Sequence, residues 1–214
     1  MTSPRTNARA VGLLYILMMV TGAIQMSVAR GRVQLAFTLD LLIVACYLPI
    51  PALLYQLLKP VNAALSLTAA FFGLVGCAIQ AFTALFRIAP LFLLTEASLP
   101  STIKRDEVEA LAYLLRKLYT PSYRIGLVFF AFAFVLIGWL VFRSTFLPRF
   151  LGVLAVIAGA GWLTFLWPPL ANLLWPRVIL ILGVGELVLA LWLLFAGVNV
   201  ERWHERVRIA HMAE

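Results

Sequence analysis

Charge is what this sequence most conspicuously has little of. Asp, Glu, Lys and Arg make up 12% of its 214 residues, against about 25% in an average soluble domain. Hydrophobic residues make up 64%, and the mean hydropathy is +1.00. No compact soluble fold of this length has interior enough for so much apolar surface. A soluble domain is excluded, and lipid must solvate most of the chain. A polar linker is also missing, which points to one bundle rather than two domains.

Histidine is nearly absent. His204 and His211 both stand in the basic tail 204–214 and match no metal-ligand spacing. Their position excludes a histidine-based triad or zinc site within the apolar part. No Walker loop, dinucleotide fingerprint or haem-attachment motif occurs. No metal or cofactor is therefore expected. The two cysteines, Cys46 and Cys77, lie in the middle of apolar runs. They read as reduced packing residues rather than a disulfide framework.

What the chain has instead is a series of apolar runs. A spanning helix needs about 20 apolar residues, because each residue rises 1.5 Å across a core of about 30 Å. In lipid the backbone must satisfy its own hydrogen bonds, so helix is the default. Six runs qualify: 9–29, 35–58, 62–88, 124–142, 150–166 and 178–198. The expected fold is an all-α membrane protein, a bundle of about six transmembrane helices with one interfacial amphipathic helix. Residues 1–203 form the transmembrane domain.

Arg5 and Arg9 precede the first run, and Ser27-Val28-Ala29 loosely resembles a signal-peptidase site. A run of about 20 residues is too long for a typical signal core of 7–15, so an uncleaved first helix is expected. Pro49 and Pro51 lie inside the second run and predict a kink, since each ring removes a donor and presses on the preceding turn. Trp167-Pro168-Pro169 should stop the fifth helix. The segment after it reads as interfacial, anchored by Trp167 and Trp175.

The interfacial helix is expected over residues 101–119. Ser101 and Thr102 suit its start, and Asp106 and Glu107 suit its first turns. Val108, Leu111, Ala112, Leu115 and Leu118 recur at helical spacing. A packed connector is the other reading of the same pattern.

The net charge is +8. The basic residues fall in short clusters between apolar runs rather than along one face. They fit anionic lipid headgroups and exclude a nucleic-acid footprint. Lys and Arg divide almost evenly between the two sides of a six-span topology. On one side, Lys104, Arg105, Arg116 and Lys117 belong to the surface helix. The expected orientation therefore puts the termini in the cytoplasm, with the bundle in the plasma (bacterial inner) membrane.

Three stretches carry a likeness. They are Leu57-Leu58-Lys59-Pro60-Val61-Asn62; Leu140-Val141-Phe142-Arg143-Ser144 with Leu147-Pro148-Arg149; and Gly185-Glu186-Leu187 with Ala190-Leu191-Trp192-Leu193-Leu194 and Gly197-Val198-Asn199. In this order they resemble the bacterial membrane family catalogued as domain of unknown function 4386, from about Ala8 to Trp203. The resemblance implies a small multi-helix membrane protein and no established activity. The fourth run stays apolar through Phe132, Ala133 and Phe134, so no chemistry is assigned to it.

Glu186 is the first candidate for chemistry. It sits near the middle of the sixth run, just after Gly183 and Gly185. A charge there costs about 2.5–3.5 kcal/mol on insertion scales, so the carboxyl should face the bundle. It suits a proton relay, a general acid or a ligand contact. The alternative is interhelical hydrogen bonding that holds the bundle together. Asp40 lies shallower, early in the second run. Gln25, Gln80, Thr83, Arg87 and Arg124 are expected at similar depth and could close a polar pocket around it. An Asp40–Arg87 or Asp40–Arg124 ion pair is the structural alternative. Gly73-x-x-Gly76, Ala155-x-x-x-Gly159 and Gly183-x-Gly185 offer smooth faces for close helix contact.

Three functions fit. The first is a small carrier or ligand-binding membrane protein, possible as a homodimer, with Glu186 exchanging a proton and a hydrophobic or amphipathic small molecule as cargo. The second is an intramembrane enzyme acting on a lipid or isoprenoid with Glu186 or Asp40 as general acid. There Phe129, Phe130, Trp162, Phe165 and Trp192 would line an apolar pocket. The third is an accessory subunit of a membrane complex. The first is preferred.

Overall fold

A computed structural model of the chain describes residues 3–28, 31–95, 104–174 and 177–212. Among them every regular element is a helix. These are α1 (Pro4–Val28), α2 (Val33–Tyr47), α3 (Pro49–Leu58), α4 (Ala63–Thr95), α5 (Arg105–Arg143), α6 (Arg149–Leu163), α7 (Pro168–Leu174), α8 (Arg177–Phe195) and α9 (Val200–Met212). A 3₁₀ turn, Thr164–Leu166, joins α6 to the Trp167-Pro168-Pro169 corner. Five segments are long and apolar enough to cross a membrane: Pro4–Ser27, Val33–Leu58, Ala63–Thr95, Arg105–Arg143 and Arg149–Leu166. Helix α8 is the candidate for a sixth. Its 19 residues rise about 28 Å, close to a hydrocarbon thickness of about 30 Å. The fold is that of a multi-pass membrane protein.

Hydrogen bonds define one end of the bundle. Asn7 near the start of α1 donates to Gln56 near the end of α3 at 3.1 Å. Trp203 of α9 donates its indole N–H to the Leu57 carbonyl at 2.9 Å. The Asn199 amide donates to the Phe146 carbonyl, in the link between α5 and α6, at 3.1 Å. Both termini thus lie at the same end, as an even number of spans requires.

The second span breaks where its prolines stand. Helix α2 ends at Tyr47, and α3 restarts with Pro49 in its first turn. Pro51 then packs on Gly73 of α4, where an added Cβ would lie 2.8 Å from the proline ring. Glycine is what lets the kinked segment sit against α4.

One expectation needs correction. The segments read as a surface helix at 101–119 and a separate span at 124–142 form a single 39-residue helix, α5. Residues 101–103 of that reading lie outside the described residues. Pro121 sits inside the helix without ending it. The hydrogen bond it forfeits would go to the carbonyl of Lys117, an exposed residue at the polar end of the helix. There water can take the proline's place. Val108 and Ala112 are buried, so this stretch is a packed extension of the bundle. At 39 and 33 residues, α5 and α4 rise about 58 and 50 Å. Both are longer than the hydrocarbon core, and they form the most extensive helix pair in the fold. The amphipathic helix that leaves the bundle axis is α9. It follows a 97° bend between Gly183–Phe195 and Val200–Ala210, and gives the tail 204–214 a helical start.

Small residues set the closest approaches. Gly138 and Gly152 bring α5 and α6 together; a Cβ on Gly152 would lie 2.5 Å from the Phe142 nitrogen. Gly159 of the Ala155-x-x-x-Gly159 pair meets Ala131 in the same way, at 2.8 Å. Among the described residues, none lies within 4 Å of a Cβ built on Gly183. Trp167 is exposed at the α6–α7 corner; Trp175 lies outside the described residues.

Candidate functional site

Asp40 is the centre of a polar knot in the apolar bundle. It is 8% exposed and takes bonds from three other helices. Arg87 of α4 donates through Nε to Asp40 Oδ2 at 2.5 Å. Gln25 of α1 donates to Oδ1 at 2.6 Å and to the Ala36 carbonyl at 3.0 Å. Tyr119 of α5 donates to Oδ1 at 3.2 Å and accepts from the Arg87 guanidinium. Arg87 also lies over the Tyr119 ring, 4.1 Å from its centroid. The carboxylate is therefore neutralised and its lone pairs are used, as a charge inside a membrane bundle demands.

Glu186 occupies the midpoint of α8 and is far less constrained. Trp162 of α6 donates its indole N–H to Oε1 at 2.7 Å. Among the described residues this is its only hydrogen bond, and no cation pairs with it. The side chain is half-buried, and it faces a partly open cavity. The cavity, of about 160 Å³, opens between α1, α2, α4, α5, α6 and α8, and both Asp40 and Glu186 line it. The sequence reading treated the two acids as separate sites at different depths; the fold puts them on one cavity.

The walls follow helical periodicity. On α2 they are Asp40, Ile43, Val44 and Tyr47, at spacings of three, four and seven. On α5 they are Tyr119, Tyr123, Leu127, Phe130 and Phe134. This is one stripe rising about 22 Å. The fourth run contributes only the apolar part of the α5 stripe, Leu127, Phe130 and Phe134; the tyrosines lie just before it. The apolar residues of the stripe are the wall, and its two tyrosines are the polar groups. They were hidden because Tyr119 closed the supposed surface helix while Tyr123 fell in the gap before the next. Read as one helix, Tyr119 and Tyr123 stand four apart on the face that continues to Leu127.

The other candidates divide. Gln80 lines the cavity but spends its amide on the Tyr123 carbonyl, at 3.2 Å. Thr83 is buried and donates to the Ile79 carbonyl of its own helix at 2.8 Å, so its hydroxyl is spent within α4. Arg124 lies over the Phe165 ring at 5.5 Å rather than against Asp40; the ion pair falls to Arg87. Of the aromatic set, Phe130 and Trp162 line the cavity. Phe129 packs near Phe72, Phe165 stacks on Trp162, and Trp192 meets Phe150. Cys77 is a free thiol in the cavity wall. Among the described residues, no three His, Cys, Asp or Glu side chains cluster as metal ligands.

A family described as a domain of unknown function, DUF4386, matches residues 23–197. The chain belongs to this family. The DUF4386 match takes in Asp40, Arg87, Tyr119, Trp162 and Glu186, so both acids of the cavity and their partners fall within it. It stops at Gly197, short of α9. No curated protein and no solved structure matches the chain significantly. The DUF4386 description assigns no chemistry.

Proposed function

We propose that the protein is a small carrier that holds a hydrophobic or amphipathic molecule inside its helical bundle, with Glu186 as the carboxyl that engages the cargo. The reading places it in a bacterial plasma membrane with both termini in the cytoplasm. The observation that carries it is that Asp40 and Glu186, on separate helices, line one largely apolar cavity. A polar group is costly within a bundle, and the fold satisfies Asp40 fully while leaving Glu186 with one neutral donor. Two acids in different states of satisfaction fit a division of labour, in which Asp40 ties four helices together and Glu186 stays free for a ligand. Apolar walls with a few convergent polar groups are the usual make-up of a small-molecule site.

A cavity-filling variant tests this. Leu127 stands in the α5 wall, and Leu127→Trp should occupy the space. Wild type and variant are purified in the same mild detergent and extracted with organic solvent, and the extracts are compared by mass spectrometry. The expected result is a small apolar or amphipathic compound in the wild-type extract that falls about tenfold or more in the variant, a loss of about 1.4 kcal/mol. Identical extracts from two folded proteins would overturn the reading.

A further inference from the structure

We infer that the cavity's ligand is an organic monocation, an ammonium-type head on an apolar body about the size of one ring; this rests on the proposed binding role of the cavity.

The charge count comes first. Two carboxyls line the space. The guanidinium that reaches this region, that of Arg87, is engaged by Asp40 and Tyr119. Glu186 receives only the neutral Trp162 N–H. Among the described residues, the cavity thus holds one carboxyl more than the bases paired with it. An anionic ligand would meet that carboxyl head on, and a neutral ligand would leave its charge to be removed by a proton. A cation pairs with the carboxylate.

The walls make the same selection. Tyr47, Tyr123, Phe130, Phe134 and Trp162 all line the cavity, and the Tyr47 and Phe130 rings stand 4.5 Å apart between centroids. Aromatic faces attract a cation by about 0.5–1 kcal/mol when exposed and about 2 or more when desolvated. Met18, Ile43, Val44 and Leu127 add apolar wall, beside Cys77, Gln80 and Tyr119. That combination suits a cation with a hydrocarbon body. It is a poor site for a bare metal ion, which needs several oxygen ligands. Size sets the body: a cavity of about 160 Å³ is close to the engineered cavity of about 150 Å³ that admits benzene.

Three single-ring probes separate the possibilities: benzylammonium, benzyl alcohol and benzoate. Each is titrated calorimetrically into the full-length protein in uncharged detergent, using wild type, Glu186→Gln and Glu186→Asp. The expected result is benzylammonium binding about tenfold tighter than benzyl alcohol in wild type, from the ion pair and ring faces together. Benzoate should be the weakest of the three. The preference should vanish in Glu186→Gln, which keeps the side-chain volume and an oxygen for Trp162. It should persist in Glu186→Asp, which keeps the charge and guards against a misfolded Gln variant. Benzyl alcohol binding as tightly as benzylammonium, or benzoate binding tighter, would overturn the cation assignment and leave the cavity reading standing. No binding by any probe, with unchanged melting of wild type, would overturn both.

Discussion

Gly12→Ala is expected to destabilise the protein by about 3 kcal/mol, at the upper end of what one overpacked methyl costs. A Cβ at this position would lie 2.5 Å from the Leu194 nitrogen and 2.6 Å from the Ala190 carbonyl oxygen. Both neighbours are backbone, so no side chain can rotate away. The whole of α1 has to move off α8. Two turns further along α1, Met18 lines the cavity that Glu186 faces. Opening the α1–α8 contact therefore loosens the site as well as the bundle. Gly183→Ala in α8 is the internal control. No described residue lies within 4 Å there, and alanine is the better helix former by up to about 1 kcal/mol. Reversible unfolding in mixed detergent micelles measures both. A Gly12→Ala variant within about 0.5 kcal/mol of wild type, the range of inert surface changes, would mean that α1 and α8 are not packed backbone to backbone.

Breaking the Asp40–Arg87 pair is expected to cost about 2–3 kcal/mol. Removing one member of a wholly buried pair costs about 3–5 kcal/mol, because the other charge stays behind unpaired. The lower figure applies because 26% of the Arg87 side chain remains exposed. Arg87→Leu leaves Asp40 with Gln25 and Tyr119 as its donors. The double variant Asp40→Leu/Arg87→Leu leaves no orphan charge. Its loss should be smaller than the sum of the two single losses by about 1 kcal/mol or more. Additive losses would show that the two side chains are not coupled. The same variants separate two roles: if Asp40 is a tie between helices, loss of stability should account for any loss of ligand.

The division between what could be read from the sequence and what could not has physical causes. Apolar runs report on lipid exposure, so the spans and the even topology were legible. The break at Pro49 was legible because a proline's missing donor is a local fact. Arg87 closes its run at the depth of Asp40, so their pairing stood among the alternatives. The shared cavity was not legible. Whether Glu186 of α8 meets the same space as Asp40 of α2 depends on how two helices distant in sequence are rotated, and lipid-facing and bundle-facing residues are alike in hydrophobicity here. The tightest contacts were hidden for a similar reason. Gly12, Gly138 and Gly152 stand singly among large residues, and each finds its match on another helix rather than one turn along its own. Tyr119 and Tyr123 were missed because the expected surface helix ended at 119 and the next span began at 124, whereas one helix runs through both.

The carrier reading makes Glu186 a contact for a cargo that leaves unchanged, and one comparison tests that directly. Cells with the wild-type gene, with no gene, and with Glu186→Gln at matched protein level are separated into membranes and medium, and each fraction is surveyed by untargeted mass spectrometry. The expected result is one unchanged compound whose partition between the two fractions depends on the gene and is lost with Glu186→Gln. A compound whose covalent structure depends on Glu186 would contradict the account in favour of an enzyme. A Glu186→Gln strain that matches wild type in every fraction would contradict it by making the carboxyl a structural group.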